Sequence, residues 1–262
     1  MPKFDPALPQ PTGTDKLLNA IRALVAGVPW VGGSITEAWA GFFSSPLARR
    51  REAWLAQLAM AVAELLKNPG ITLESLQRNE AFVSAVLAAT SIAVRTHQTE
   101  KLAALRNGTI SSVLNTDISE DEQSLFMRYV DEFSPWHFRV LRAFHDPNGH
   151  LQARGVTKPW LVESGGTLWS SSKHIRTFMG QAFPELQSEH QFVGLVLHDL
   201  GVRQLIPVQQ MFHQSLPDIG PYTTITGRKF IRFIGGEAIS GSSAAKNSQK
   251  HSAALRLAEI HG

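Results

Sequence analysis

His198 and Asp199 stand side by side near the end of the apolar run FVGLVLHDLGV, and another imidazole, His174, lies 24 residues earlier. Imidazole nitrogens and carboxylate oxygens are the donor types that hold a divalent metal and let it activate water. A further aspartate downstream would add an oxygen donor to such a set. Asp218 follows 19 residues later, in the loop-like SLPDIGP rather than in a helical pattern, and a second pair, His145-Asp146, shows how readily the dipeptide arises here. A reading without metal accounts for more residues. In it Phe192, Val193, Val196, Leu197 and Leu200 form a buried helix face, His198 and Asp199 lie towards solvent, and Gly201 takes the C′ position that ends the helix. This capped structural helix is the expectation. Cysteine is absent, which removes disulfides, thiolate nucleophiles and cysteine-ligated zinc. GxGxxG, P-loop, HExxH and GxSxG patterns are absent as well. We expect no catalytic residue and no cofactor.

The elements that would position these residues read as follows. From Asp15, the residues Leu17, Leu18, Ile21, Leu24 and Val25 recur at helical spacing. A short helix is expected from Ser34 to Phe43, and Ser45-Pro46 should open a longer one with Trp54, Leu55, Leu58, Val62, Leu65 and Leu66 along one side. A single long helix is expected from Glu80 to about Asn107. Ser119-Glu120-Asp121-Glu122 is a capping box for a helix bearing Leu125, Phe126, Tyr129 and Val130. SPWHFRVLRAF is a short helix with Pro135 in its first position, and Asp146-Pro147-Asn148-Gly149 reads as a turn. A helix is expected in SSSKHIRTFMGQAF, followed by the helix that holds His198. TTITGRKFIRFIGG, rich in Thr, Ile and Phe, suits a strand turning into a helix. The segment from Gly235 to Gln249 has almost nothing to bury and predicts a flexible tail.

Hydrophobic residues at 43% and charged residues at 18% describe a globular chain, and the formal net charge is +3. The opening MPKFDPALPQPTGTD has no apolar core of a secretion signal, so a cytoplasmic location is expected. The longest nearly apolar stretch, LVAGVPWVGGSI, falls well short of the roughly 20 residues that span a bilayer. Arg49-Arg50-Arg51 ahead of the apolar face of residues 46–67 would suit a membrane surface; a solvated first turn on a core helix is the preferred reading.

LVLHDLG resembles the helix that carries the His-Asp pair of HD-type phosphohydrolases. That resemblance implies a metal held by His174, His198 and Asp199. A different resemblance spans more of the chain. The helix SPWHFRVLRAF, two further helices, apolar Leu205-Ile206 and a Thr-x-x-Gly-x-x-Phe segment formed by Thr224, Gly227 and Phe230 look like a winged-helix module. A helical bundle followed by such a module is similar to bacterial abortive-infection proteins of the Abi-alpha type over roughly residues 80–235. The likeness implies a role in phage defence and carries over no catalytic residue.

The expected architecture is therefore mainly α. A disordered stretch 1–14 precedes a helical bundle 15–132, then a winged-helix-like α+β module 133–235 and a flexible tail 236–262. The expected function is binding, to a protein partner or a second copy of the chain. The alternative from another class is nucleic-acid binding by Lys173, Arg176, Arg203, Arg228, Lys229 and Arg232. The turn that would read bases, Gln187 to Gln191, carries Glu189 and no Lys or Arg, so those cations would meet phosphates rather than bases.

Overall fold

In a computed structural model, residues 13–25, 37–156, 178–207 and 222–235 are described. The chain divides into two units: residues 1–131 together with 234–262, and residues 132–233. The first division falls inside α6 (Glu120–Glu132) and the second inside α10 (Ile225–Gly235).

The first unit is built from amphipathic helices. α1 (Gly13–Leu24) packs on α2 (Glu37–Leu65), and α2 packs on α4 (Glu80–Arg95) and α5 (Thr99–Leu114), which also pair with each other; α3 (Leu73–Gln77) packs on α4. The expected stripe buries Leu17, Ile21 and Val25, while Leu24 is exposed. Trp54, Leu55, Leu58, Val62 and Leu65 of α2 are fully buried, and the Trp54 indole N–H donates to Thr90 Oγ1 at 3.0 Å. That bond satisfies a polar tip which would otherwise be costly inside a core. Ser119 and Glu122 make both bonds of the capping box at the start of α6.

Two expectations about continuity are corrected. Instead of separate helices on either side of Ser45-Pro46, α2 runs through Pro46. The expected helix from Glu80 to Asn107 is broken at Thr96–Gln98, and Arg95 is the last residue of α4.

In the second unit, α7 (Pro135–His145) has Pro135 in its first turn and packs on α8 (Pro147–Ala153) and α9 (His190–Val202). The expected turn at Asp146 is instead the start of α8, with the Asp146 carboxylate accepting from the Gly149 N–H at 2.9 Å. Phe133, Phe138 and Phe230 form an aromatic cluster with centroids 6.0 to 6.4 Å apart, in which Phe133 meets both other rings edge-on. Phe144 meets Phe178 at 5.4 Å.

The expected winged-helix-like α+β module is overturned. No strand occurs among the described residues, and residues 225–235 of TTITGRKFIRFIGG form α10. The decisive pattern is that Gly227, Phe230, Ile231 and Ile234 are buried while Ile225, Arg228 and Arg232 are exposed. Three- and four-residue spacing buries one helix face, whereas a strand would place neighbours Phe230 and Ile231 on opposite faces. Thr224 and Gly227 lock the start of this helix. Thr224 Oγ1 accepts from the Gly227 N–H at 2.9 Å, and the Thr224 N–H donates to the Leu205 carbonyl at 3.1 Å. The described residues include no helix long and apolar enough to cross a membrane.

Candidate functional site

The 132–233 unit holds one connected polar chain, where the start of α7 meets the end of α9. His137 occupies the third position of α7 and reaches back to its first residues: its Nδ1 accepts from the Ser134 backbone N–H at 3.1 Å and lies 2.9 Å from Ser134 Oγ. Across the ring, Nε2 is 3.3 Å from Asp199 Oδ2. Asp199 also faces Arg203 at 3.7 Å, and Arg203 pairs with Glu132 at 2.6 Å. Phe133 stacks on the imidazole, with centroids 4.5 Å apart and planes 5° from parallel, and the Arg203 guanidinium lies 5.1 Å from the Phe133 ring centre. The His137 side chain is only 9% exposed.

Serine, histidine and aspartate in hydrogen-bonding sequence are the residue types of an acyl-transfer triad. Here the direction of the bonds argues for another role. The backbone N–H aimed at Nδ1 fixes the tautomer, so the ring proton sits on Nε2 and is donated to Asp199. The Nδ1 lone pair that a base would use is thus already engaged by an amide. Protonating Nδ1 would set two donors against each other. Burial holds the imidazole below the ordinary histidine range, opposing the pull of the Asp199 carboxylate. A neutral His137 acts as the reciprocal half of a helix cap and as a tie between α7 and α9.

The residues singled out from sequence fall into four groups. Lys173, His174, Arg176 and Asp218 lie outside the described residues. His198 is exposed on α9, whereas Asp199 turns to His137 and Arg203; no group of three metal-donor side chains occurs among the described residues. His145 points Nδ1 at Thr223 Oγ1, 3.1 Å away, and Asp146 caps α8. Arg203 is held by Glu132 and Asp199, while Arg228, Lys229 and Arg232 all belong to α10.

No family model, characterised protein or solved structure matches the chain. The surface of the unit therefore has to be read from its own residues.

The end of α9 differs from the expectation. Gly201 is still helical, and the left-handed position belongs to Gln204, at φ 54°. The Gln204 N–H donates to the Gly201 carbonyl and the Leu205 N–H to the Leu200 carbonyl, both at 2.9 Å. This double bond pattern is a Schellman motif, and its apolar partners Leu200 and Leu205 are both fully buried. Along α9 only Val196 and Leu200 are buried, whereas Phe192, Val193 and Leu197 are half-buried. Leu195 and Val202 are 62% and 65% exposed.

A second ionic cluster lies in the first unit. Lys101 Nζ donates to the Asp131 carbonyl at 2.7 Å, while Arg95 holds the Asp131 carboxylate at 2.9 Å. Burial lowers the Lys101 ammonium, partly offset by Asp131. The cluster closes the end of α6, where carbonyls lack helical donors. The Ser134–His137 cap had a readable signal in S-x-x-H at a helix start. Asp199, 62 positions away, had none.

Proposed function

We propose that the protein acts by binding rather than by catalysis, and that the outward side of α9 binds a second copy of the chain. The observation carrying this reading is the exposure of Leu195 and Val202 on a helix that is apolar on nearly every side. Apolar side chains all round a helix are the pattern of an element covered on all sides. Leu195, His198 and Val202 recur at helical spacing, and Gly194 and Gly201 adjoin the two large residues at the same seven-residue interval. A strip carrying protruding and recessed positions in alternation fits itself across a two-fold axis. Burying each exposed Leu or Val contributes about 1.5–3 kcal/mol. Four such side chains, set against the association cost of at least about 4 kcal/mol, give a weak dimer.

Sedimentation velocity from low micromolar to several hundred micromolar protein tests this. The expected result is a concentration-dependent shift towards dimer that Leu195→Glu abolishes while thermal stability is unchanged. A monomer at every concentration, or a dimer indifferent to Leu195→Glu, would sink the proposal. The setting in bacterial phage defence is carried over from the sequence resemblance to Abi-alpha-type proteins alone, whose winged-helix part the described residues overturn. Plaque counts should then fall in a sensitive host that carries the gene, and recover with Leu195→Glu. Equal counts in all hosts would remove the defence setting and leave association to be decided by sedimentation.

A further inference from the structure

We infer that the outward face of α10 contacts the phosphodiester backbone of duplex DNA. The chain's charge is unevenly placed: residues 132–233 hold ten Lys and Arg against seven Asp and Glu, whereas the rest of the chain holds fifteen of each. The whole net charge of +3 therefore belongs to one unit. Within it, ITGRKFIRFIG contains three cations and no acid. Arg228 and Arg232 are exposed on the same side as Ile225, and Lys229 is half-buried beside them. Arg228 is braced from behind, since its Nη1 donates to the Thr223 carbonyl at 2.9 Å. One helical turn separates Arg228 from Arg232, about 6 Å along the axis. Phosphates of one DNA strand recur about every 3.4 Å of duplex axis but wind around it, so neighbours lie farther apart in space than that rise, and the pair is spaced to meet neighbouring phosphates.

The same geometry decides against an anionic bilayer and an acidic protein. A helix that docks on an anionic bilayer inserts its apolar face, and the apolar face of α10 is taken up by the core through Phe230, Ile231 and Ile234. An acidic protein would pair with cations but offers no regular repeat of charge. The inference concerns the backbone contact, which arginine and lysine make whatever the base sequence. The inference is independent of self-association through α9.

Fluorescence anisotropy with a mixed-sequence duplex, titrated at several salt concentrations, tests it. Binding should weaken steeply with salt, and Arg228→Gln with Arg232→Gln should bind about tenfold more weakly, with a log–log salt slope shallower by about 2. Arg228→Lys with Arg232→Lys should retain binding, and Arg49→Gln with Arg50→Gln in the first unit should leave it unchanged. Circular dichroism establishes that each variant is folded. Should the Arg228 variant unfold, Lys229→Gln with Arg232→Gln carries the same test. Duplex binding that ignores these α10 changes, or its absence at low salt, would overturn the inference. So would stronger binding to phosphatidylserine vesicles or to polyglutamate than to duplex at equal ionic strength.

Discussion

Gln204 is the one non-glycine residue with positive φ among the described residues, and it stands where a helix end favours glycine. A side chain in this region costs about 1 kcal/mol or more. Its N–H and that of Leu205 close the last turn of α9, so the conformation is retained despite the penalty. Gln204→Gly should therefore stabilise the protein by about 0.5–1 kcal/mol, measured by urea unfolding. A loss of stability would show that the Gln204 side chain contributes more than its backbone costs. His137 makes a prediction about pH. Its folded-state value is depressed by burial, so below the ordinary histidine value of about 6.5 the unfolded chain binds more protons than the folded one. The stability tied to neutral His137 is complete above that pH and is lost as pH falls towards the folded value. His137→Gln keeps a cap acceptor for the Ser134 N–H but cannot titrate. Between about pH 7.5 and 5.5 its melting temperature should fall less than that of the parent; an equal fall in both would show that His137 carries no such linkage.

At the scale of elements, the Thr-x-x-Gly-x-x-Phe segment has a physical explanation that does not need a wing. Thr224 caps α10 and ties it to the turn after α9, Phe230 fills the aromatic cluster, and Gly227 lets the helix lie against the 204–205 backbone. A Cβ on Gly227 would come 2.1 Å from the Leu205 carbonyl oxygen. Backbone cannot rotate aside as a side chain can, so Gly227→Ala should cost at least the 1–3 kcal/mol typical of overpacking (about 2 kcal/mol). Thermal melting of the variant measures it; an unchanged melting temperature would mean that α10 shifts freely against the turn. The helix α9 shows the limit of reading burial from periodicity. Of the residues expected on one buried face, Phe192, Val193 and Leu197 are half-buried, and the core contact runs through Val196 and Leu200. When apolar residues occupy every side, spacing no longer distinguishes which side faces the core.

For the whole molecule, the sequence by itself determined what depends on neighbours a few residues apart. The buried stripe of Leu17, Ile21 and Val25, the apolar side of α2, the Ser119–Glu122 capping box and Pro135 in the first turn of α7 all follow from one turn of chain. Only the tertiary structure decided that α2 continues through Pro46, that residues 225–235 of TTITGRKFIRFIGG are helical without a strand, and that the left-handed turn falls on Gln204 rather than Gly201. It also decided that Asp199 serves His137 and Arg203. The reason is common to all four. Local propensities amount to a few tenths of a kcal/mol up to about 1 kcal/mol per residue, and about 3 kcal/mol for a proline inside a helix, which packing overrides by selecting which face is buried. A hydrogen bond across 62 positions leaves no periodic trace in the chain, because its partners are set by how two helices pack and not by their spacing in sequence.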